Sequence, residues 1–131
     1  MDIYCDGGAR GNPGPAASAF VAMENSKVVY EQGKYIGHAT NNVAEYCAVI
    51  LALTWLQKQS FKEVNFKLDS QLVACQMDGS FKIKNTKLLE LNATANALKK
   101  KINAKIIFSY IPRIKNSLAD TLVNVTLDEN S

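Results

Sequence analysis

The spacing of apolar and polar positions changes along the chain, and each change marks an element. MDIYCDG (1–7) reads as a strand ended by Gly7 and Gly8. ASAFVAMENS (17–26) alternates poorly, and its alanines, with Pro15 ahead of them, would also suit a helix. Its short length and the β-rich run that follows favour a second strand. KVVYEQGKYIG (27–37) is a third strand, entered by a turn at Glu24-Asn25-Ser26. NNVAEYCAVILALTWLQKQ (41–59) carries an apolar face over several turns and reads as a helix N-capped by Asn41 or Asn42. EVNFKLD (63–69) is a strand, and SQLVACQMDG (70–79) a short helix capped by Ser70 and ended by Gly79. NTKLLELNATANALKKK (85–101) repeats its apolar positions at Leu88, Leu91, Ala95 and Leu98, with Lys99 to Lys101 at the negative end of the helix dipole. AKIIFSYI (104–111) is a strand stopped by Pro112, and NSLADTLVNVT (116–126) a last helix.

Three strands, a helix, a strand, two helices, a strand and a helix predict an α/β fold, a mixed sheet with helices packed on it. The first three strands would be antiparallel and the last two joined by crossovers. A length of 131 residues, 47% of them hydrophobic, predicts one domain spanning 1–131. A net charge of +3 permits a polyanionic partner without demanding one. Cys5, Cys47 and Cys75 are odd in number, widely spaced and without metal-ligand spacing, which predicts reduced thiols in a cytoplasmic protein. The longest apolar run, Val43 to Leu56, is too short to span a membrane and holds Glu45. The residues after Met1 lack the basic and apolar regions of a signal peptide.

Four of the 12 acids stand in awkward places. Asp6 and Asp69 each end an apolar strand, where ligand sites of open α/β sheets form. Glu45, in the first turn of the apolar helix, shares a stripe with Ala48, Val49, Ala52 and Leu56. Asp120 shares one with Val123 and Leu127. Each has an ordinary explanation. Asp6 would cap the turn after its strand, Asp69 would help cap the short helix that follows, Glu45 would close a capping box with Asn42, and Asp120 would favour a helix N-terminus. Gathered at one end of a sheet, the four would repel and call for cations, and oxygen donors without His or Cys suit Mg²⁺ or Mn²⁺.

YCDGGARGNPGPA (4–16), TNNVAEY (40–46), LDSQLV (68–73) and NSLAD (116–120) resemble, in order, the four signature segments of type 1 ribonuclease H, over about residues 1–127. The resemblance implies that family's mixed five-stranded sheet, three strands antiparallel and two parallel, flanked by helices. It implies hydrolysis of the RNA strand of an RNA–DNA hybrid, leaving 5′-phosphate and 3′-hydroxyl ends. Two Mg²⁺ ions, replaceable by Mn²⁺, would serve as cofactors, with no organic cofactor, in a monomer. The family's metal-binding catalytic acids fall on Asp6, Glu45, Asp69 and Asp120. Asp6 and Asp69 would lie between the metals, with Glu45 on one and Asp120 on the other. Its substrate contacts fall on Asn12, Asn41 and Gln71, which would read the minor groove or ribose hydroxyls, and on Thr40 and Asn85, which would grip a DNA-strand phosphate. Gly7 and Gly8, without Cβ atoms, would let backbone approach the ribose.

Three departures qualify the resemblance. The loop before the last acid, YIPRIKN, has no histidine; Arg113 is its charged candidate, and His38 is expected at the surface. Only FKIKNTK joins the second and third helices, in place of a basic handle. No hybrid-binding domain precedes Met1, which predicts low processivity and a stand-alone enzyme. The competing readings are a same-fold nuclease that also cuts double-stranded RNA and a catalytically silent hybrid-binding module. A dinucleotide or P-loop site is disfavoured because the glycines match neither spacing.

Overall fold

The structure, a computed structural model, describes residues 1–131. Its strands are β1 (Asp2–Ala9), β2 (Gly14–Glu24), β3 (Lys27–Ala39), β4 (Glu63–Leu68) and β5 (Lys105–Tyr110). Its helices are α1 (Asn41–Leu56), α2 (Gln71–Met77), α3 (Thr86–Lys100) and α4 (Ser117–Glu129), the last entered through a 3-10 turn at Arg113–Asn116. The sheet runs β3-β2-β1-β4-β5. β1, β2 and β3 are antiparallel neighbours, whereas β4 lies parallel to β1 and β5 parallel to β4.

The poor alternation of β2 has a structural cause: both of its faces are covered. Phe20 and Ala22 join the main core with Ile3 and Cys5 of β1, Phe66 of β4, and Val49 and Leu53 of α1. Ala17 and Ala19, at the opposite parity, form a second cluster with Val123 and Leu127 of α4. A strand buried on both sides needs no polar face, and alanine lets a helix approach closely. Gly33 does the same on β3, where a Cβ would collide with the Thr126 hydroxyl of α4.

Several predicted boundaries shift. β1 is not ended by Gly7 and Gly8 but runs through them to Ala9, because both keep their antiparallel partners Ser18 and Ala17; β2 begins already at Gly14, and α1 stops at Leu56. Thr40, not Asn41 or Asn42, caps α1, its Oγ1 accepting from the Val43 amide at 3.3 Å. α4 continues to Glu129 because Leu127 still packs on the sheet. The register of β1 against β4 positions the site. Cys5 and Leu68 are the last partners of the parallel pair β1–β4, so the next residues, Asp6 still within β1 and Asp69 just past β4, lie side by side where that pairing stops.

Candidate active site

Asp6, Glu45 and Asp69 each place a carboxylate oxygen within 4.8 Å of the others. β1 and β4 deliver the two aspartates, and α1 supplies Glu45 from above the end of β1. The Gly7 amide joins two of them, donating to Asp6 Oδ1 at 2.9 Å and to Glu45 Oε1 at 3.2 Å. Asp120, in the first turn of α4, lines the same cleft of about 430 Å³, together with Gly8, Asn41 and Arg113. Its Oδ1 stands 3.7 Å from the Arg113 guanidinium.

The ordinary readings of two acids fail. With Thr40 as the cap, Glu45 sits in the second turn of α1 and closes no capping box; its carboxylate goes to Gly7. Asp69 does not cap α2, because Ser70 Oγ accepts from the Val73 amide at 3.2 Å. Asp69 Oδ2 instead accepts from Asn116 Nδ2 at 3.1 Å.

Burial and mutual repulsion set the electrostatics. Desolvation, then the charges of Asp69 and Asp120, push Asp6 up to about 7, although its hydrogen bond with Glu45 acts the other way. Glu45 is raised as well, chiefly by burial and then by Asp6. The Cys5 thiol, wholly buried beneath them, is pushed up by burial and by the same carboxylates. Glu45 Oε2 is buried with no hydrogen-bond partner. The cleft's two cations are both committed at its margins, Arg113 to Asp120 and Arg10 to Asp128. An all-oxygen donor set with an unpartnered buried oxygen and no internal cation fits a hard divalent ion.

This arrangement predicts a pH-dependent stability in chelator. Asp6 titrates near 3.8 when unfolded and near 7 when folded. The folded state therefore binds the extra proton, and stability is lost as pH rises from the lower value through the higher. The Asp6→Asn variant escapes that loss. Its thermal midpoint in EDTA should match wild type within about 2 °C near pH 4 and exceed it by about 5 °C or more near pH 8. A gap independent of pH would refute the prediction.

The predicted substrate-contact side chains divide into two groups. Asn41 Oδ1 accepts from the Ala9 amide at 2.8 Å, and Asn12 Oδ1 accepts from the Asn41 amide at 3.0 Å. Together they pin the β1–β2 loop to the start of α1 beside the acids. Thr40 and Asn85 lie outside the cleft lining as exposed N-caps, Asn85 Oδ1 accepting from the Leu88 amide at 3.0 Å. Gln71, exposed in the first turn of α2, is not in the lining either, and of the first pair only Asn41 lines the cleft, Asn12 standing exposed behind it.

Three contributors lie outside the predicted site residues. Asn116 is 1% exposed, and its Nδ2 donates to the Cys5 carbonyl at 2.8 Å as well as to Asp69. It locks the turn before α4 onto both aspartate-bearing strands. Ser18 Oγ donates to the Ala44 carbonyl at 2.6 Å and anchors α1 over the sheet. Arg10 reaches across the cleft to the C-terminal half of α4. Asn116 carried a visible signal, a polar residue just ahead of an apolar helix, but that signal equally denotes a cap. Its side chain in fact makes no capping bond.

Residues 4–126 match the family described as reverse transcriptase-like. The chain is 41% identical over 128 residues, 96% of its length, to the bifunctional protein Rv2228c of Mycobacterium tuberculosis, and spans 35% of that relative. It is 39% identical over 130 residues, 98% of its length, to a ribonuclease HI of Halobacterium salinarum, and spans 65% of it. Among solved structures, LC11-RNase H1 in complex with an RNA/DNA hybrid superposes with a TM-score of 0.93 at 43% identity, over 98% of this chain and 97% of that one.

Proposed function

The chain belongs to the ribonuclease H family, and from that premise we propose that it hydrolyses the RNA strand of RNA–DNA hybrids, leaving 5′-phosphate and 3′-hydroxyl ends. The observation that carries the reading is the convergence of three buried or half-buried carboxylates within 4.8 Å, one with an unpartnered oxygen, beside a fourth acid in an open cleft. Asp6 and Asp69 would be shared by two Mg²⁺ ions, with Glu45 and Asp120 on one each and Mn²⁺ as substitute. Such ions, when bound, make water a nucleophile at neutral pH and neutralise charge on the leaving oxygen.

The chain's own residues supply position and selectivity. The Gly7 amide holds Asp6 and Glu45 in one orientation, and Asn116 fixes Asp69. A pre-set cluster needs little reorganisation when charge develops. Gly8, Asn12, Asn41 and Gln71 would face the wide minor groove of the hybrid, where the 2′-hydroxyl distinguishes RNA from DNA. Amide groups both donate to and accept from that hydroxyl. Thr40 and Asn85 would meet the DNA strand's phosphate through hydroxyl, amide or helix N-terminal N–H groups. Arg113 would counter phosphate charge beside Asp120. The three thiols are free, which fits a reducing cytoplasm, and no helix is long and apolar enough to cross a membrane.

The test is incubation of the purified chain with labelled hybrid, double-stranded RNA and double-stranded DNA in Mg²⁺ or Mn²⁺. Cleavage confined to the RNA strand of the hybrid, and abolished by EDTA, is the expected result. Cleavage that survives EDTA refutes the metal chemistry. Hybrid binding without cleavage in either metal makes the chain a silent binding module, and equal cutting of double-stranded RNA widens its substrate class.

A further inference from the structure

Arg10 is rooted firmly and points freely. Its amide donates to the Pro15 carbonyl at 2.8 Å, and its own carbonyl lies so close to Gly14 that a Cβ there would collide with it. The backbone of the loop is thus fixed at this residue. The guanidinium instead lies across the cleft, 2.7 Å from Asp128 Oδ1 and 3.5 Å from the Asn124 carbonyl of α4. Both partners of the ion pair are open to solvent, the side chains being 45% and 68% exposed.

An exposed pair of this kind holds weakly, whereas arginine grips a phosphate through two parallel charge-assisted bonds. Arg10 is one of only two cations lining a cleft that also holds four acids. A polyanion entering that cleft would repel Asp128 and attract Arg10. We infer that Arg10 is a phosphate clamp for the nucleic-acid backbone, parked on Asp128 in the free protein and transferred to a phosphodiester when the duplex binds. The inference rests on the hybrid-cleaving function proposed above, and it assigns Asp128 as a competitor that weakens substrate binding.

The sign of one substitution tests it. Binding of labelled hybrid is measured across a salt series in the Asp69→Asn background, so that no cutting intervenes. Arg10→Ala should weaken binding about five- to tenfold and lower the slope of log K against log salt by about one phosphate contact. Arg10→Lys should keep that slope while recovering part of the affinity. Asp128→Asn should tighten binding about two- to fivefold, and adding it to Arg10→Ala should recover less than it gains alone, only the relief of direct repulsion. Weaker binding in Asp128→Asn, or an unchanged salt slope in Arg10→Ala, overturns the clamp and leaves the pair as a structural tie. A chain that neither binds nor cuts hybrid in wild-type form overturns the clamp together with the function on which it rests.

Discussion

Asp69→Asn is expected to lower hybrid cleavage by about 10³-fold or more while leaving the fold intact. The substitution keeps side-chain size. It also keeps an oxygen that can accept from Asn116 Nδ2, the bond Asp69 makes at 3.1 Å. Only the negative charge disappears. That charge matters because Asp69 faces Asp6 and Glu45 within 4.8 Å, and hard cations are held by the summed charge of such oxygens. Initial rates in Mg²⁺, compared with thermal midpoints in EDTA, separate the two effects. The midpoint should rise or stay level, because removing one of three crowded carboxylates relieves repulsion on Asp6. Cleavage within about tenfold of wild type, with a normal midpoint, would remove Asp69 from the reaction.

Much of this site was legible because acids interrupt apolar patterns where they have no packing purpose. Asp6 and Asp69 ended strand-like runs, and the parallel register Cys5↔Leu68 brings them together. Glu45 and Asp120 stood on apolar helix stripes, and α1 and α4 lie on opposite faces of the sheet. What stayed illegible depends on contacts between distant residues. Nothing near Asn116 in the sequence announces that its amide reaches Cys5, 111 positions away. Arg10 and Asp128 are as remote, and only the path of α4 across the sheet makes them a pair. Local alternatives also outcompeted the pattern. Thr40 took the cap expected of its asparagine neighbours, which freed Asn41 to hold the Ala9 amide. The alanines of β2 looked ambiguous because no strand can reveal, by itself, that helices cover both its faces.

The glycines after Asp6 carry the second large effect, and the structure separates roles that the sequence merged. Gly7 and Gly8 both looked like openings for a ribose. A Cβ on Gly7, however, would collide with the backbone carbonyl of Ala44 and crowd the Glu45 amide. Gly7 pairs in register with Ser18, whose hydroxyl bonds that same Ala44 carbonyl. Here α1 touches down on the sheet, and backbone atoms cannot swing aside as a flexible side chain would. Gly7→Ala must therefore lift α1 from β1, disturbing the core beneath Val49 and Leu53 and withdrawing Glu45 from the Gly7 amide. The expected cost is about 3 kcal/mol or more, read as a fall of about 10 °C in thermal midpoint, with activity lost alongside. Gly8 is different: the nearest atom to its added Cβ is Val123 Cγ1 at 3.8 Å, an ordinary contact. Gly8→Ala should shift the midpoint by less than about 3 °C and act through KM. Equal destabilisation by the two variants would refute the touchdown at Gly7. A stable, well-folded Gly7→Ala would return that glycine to the substrate side of the site.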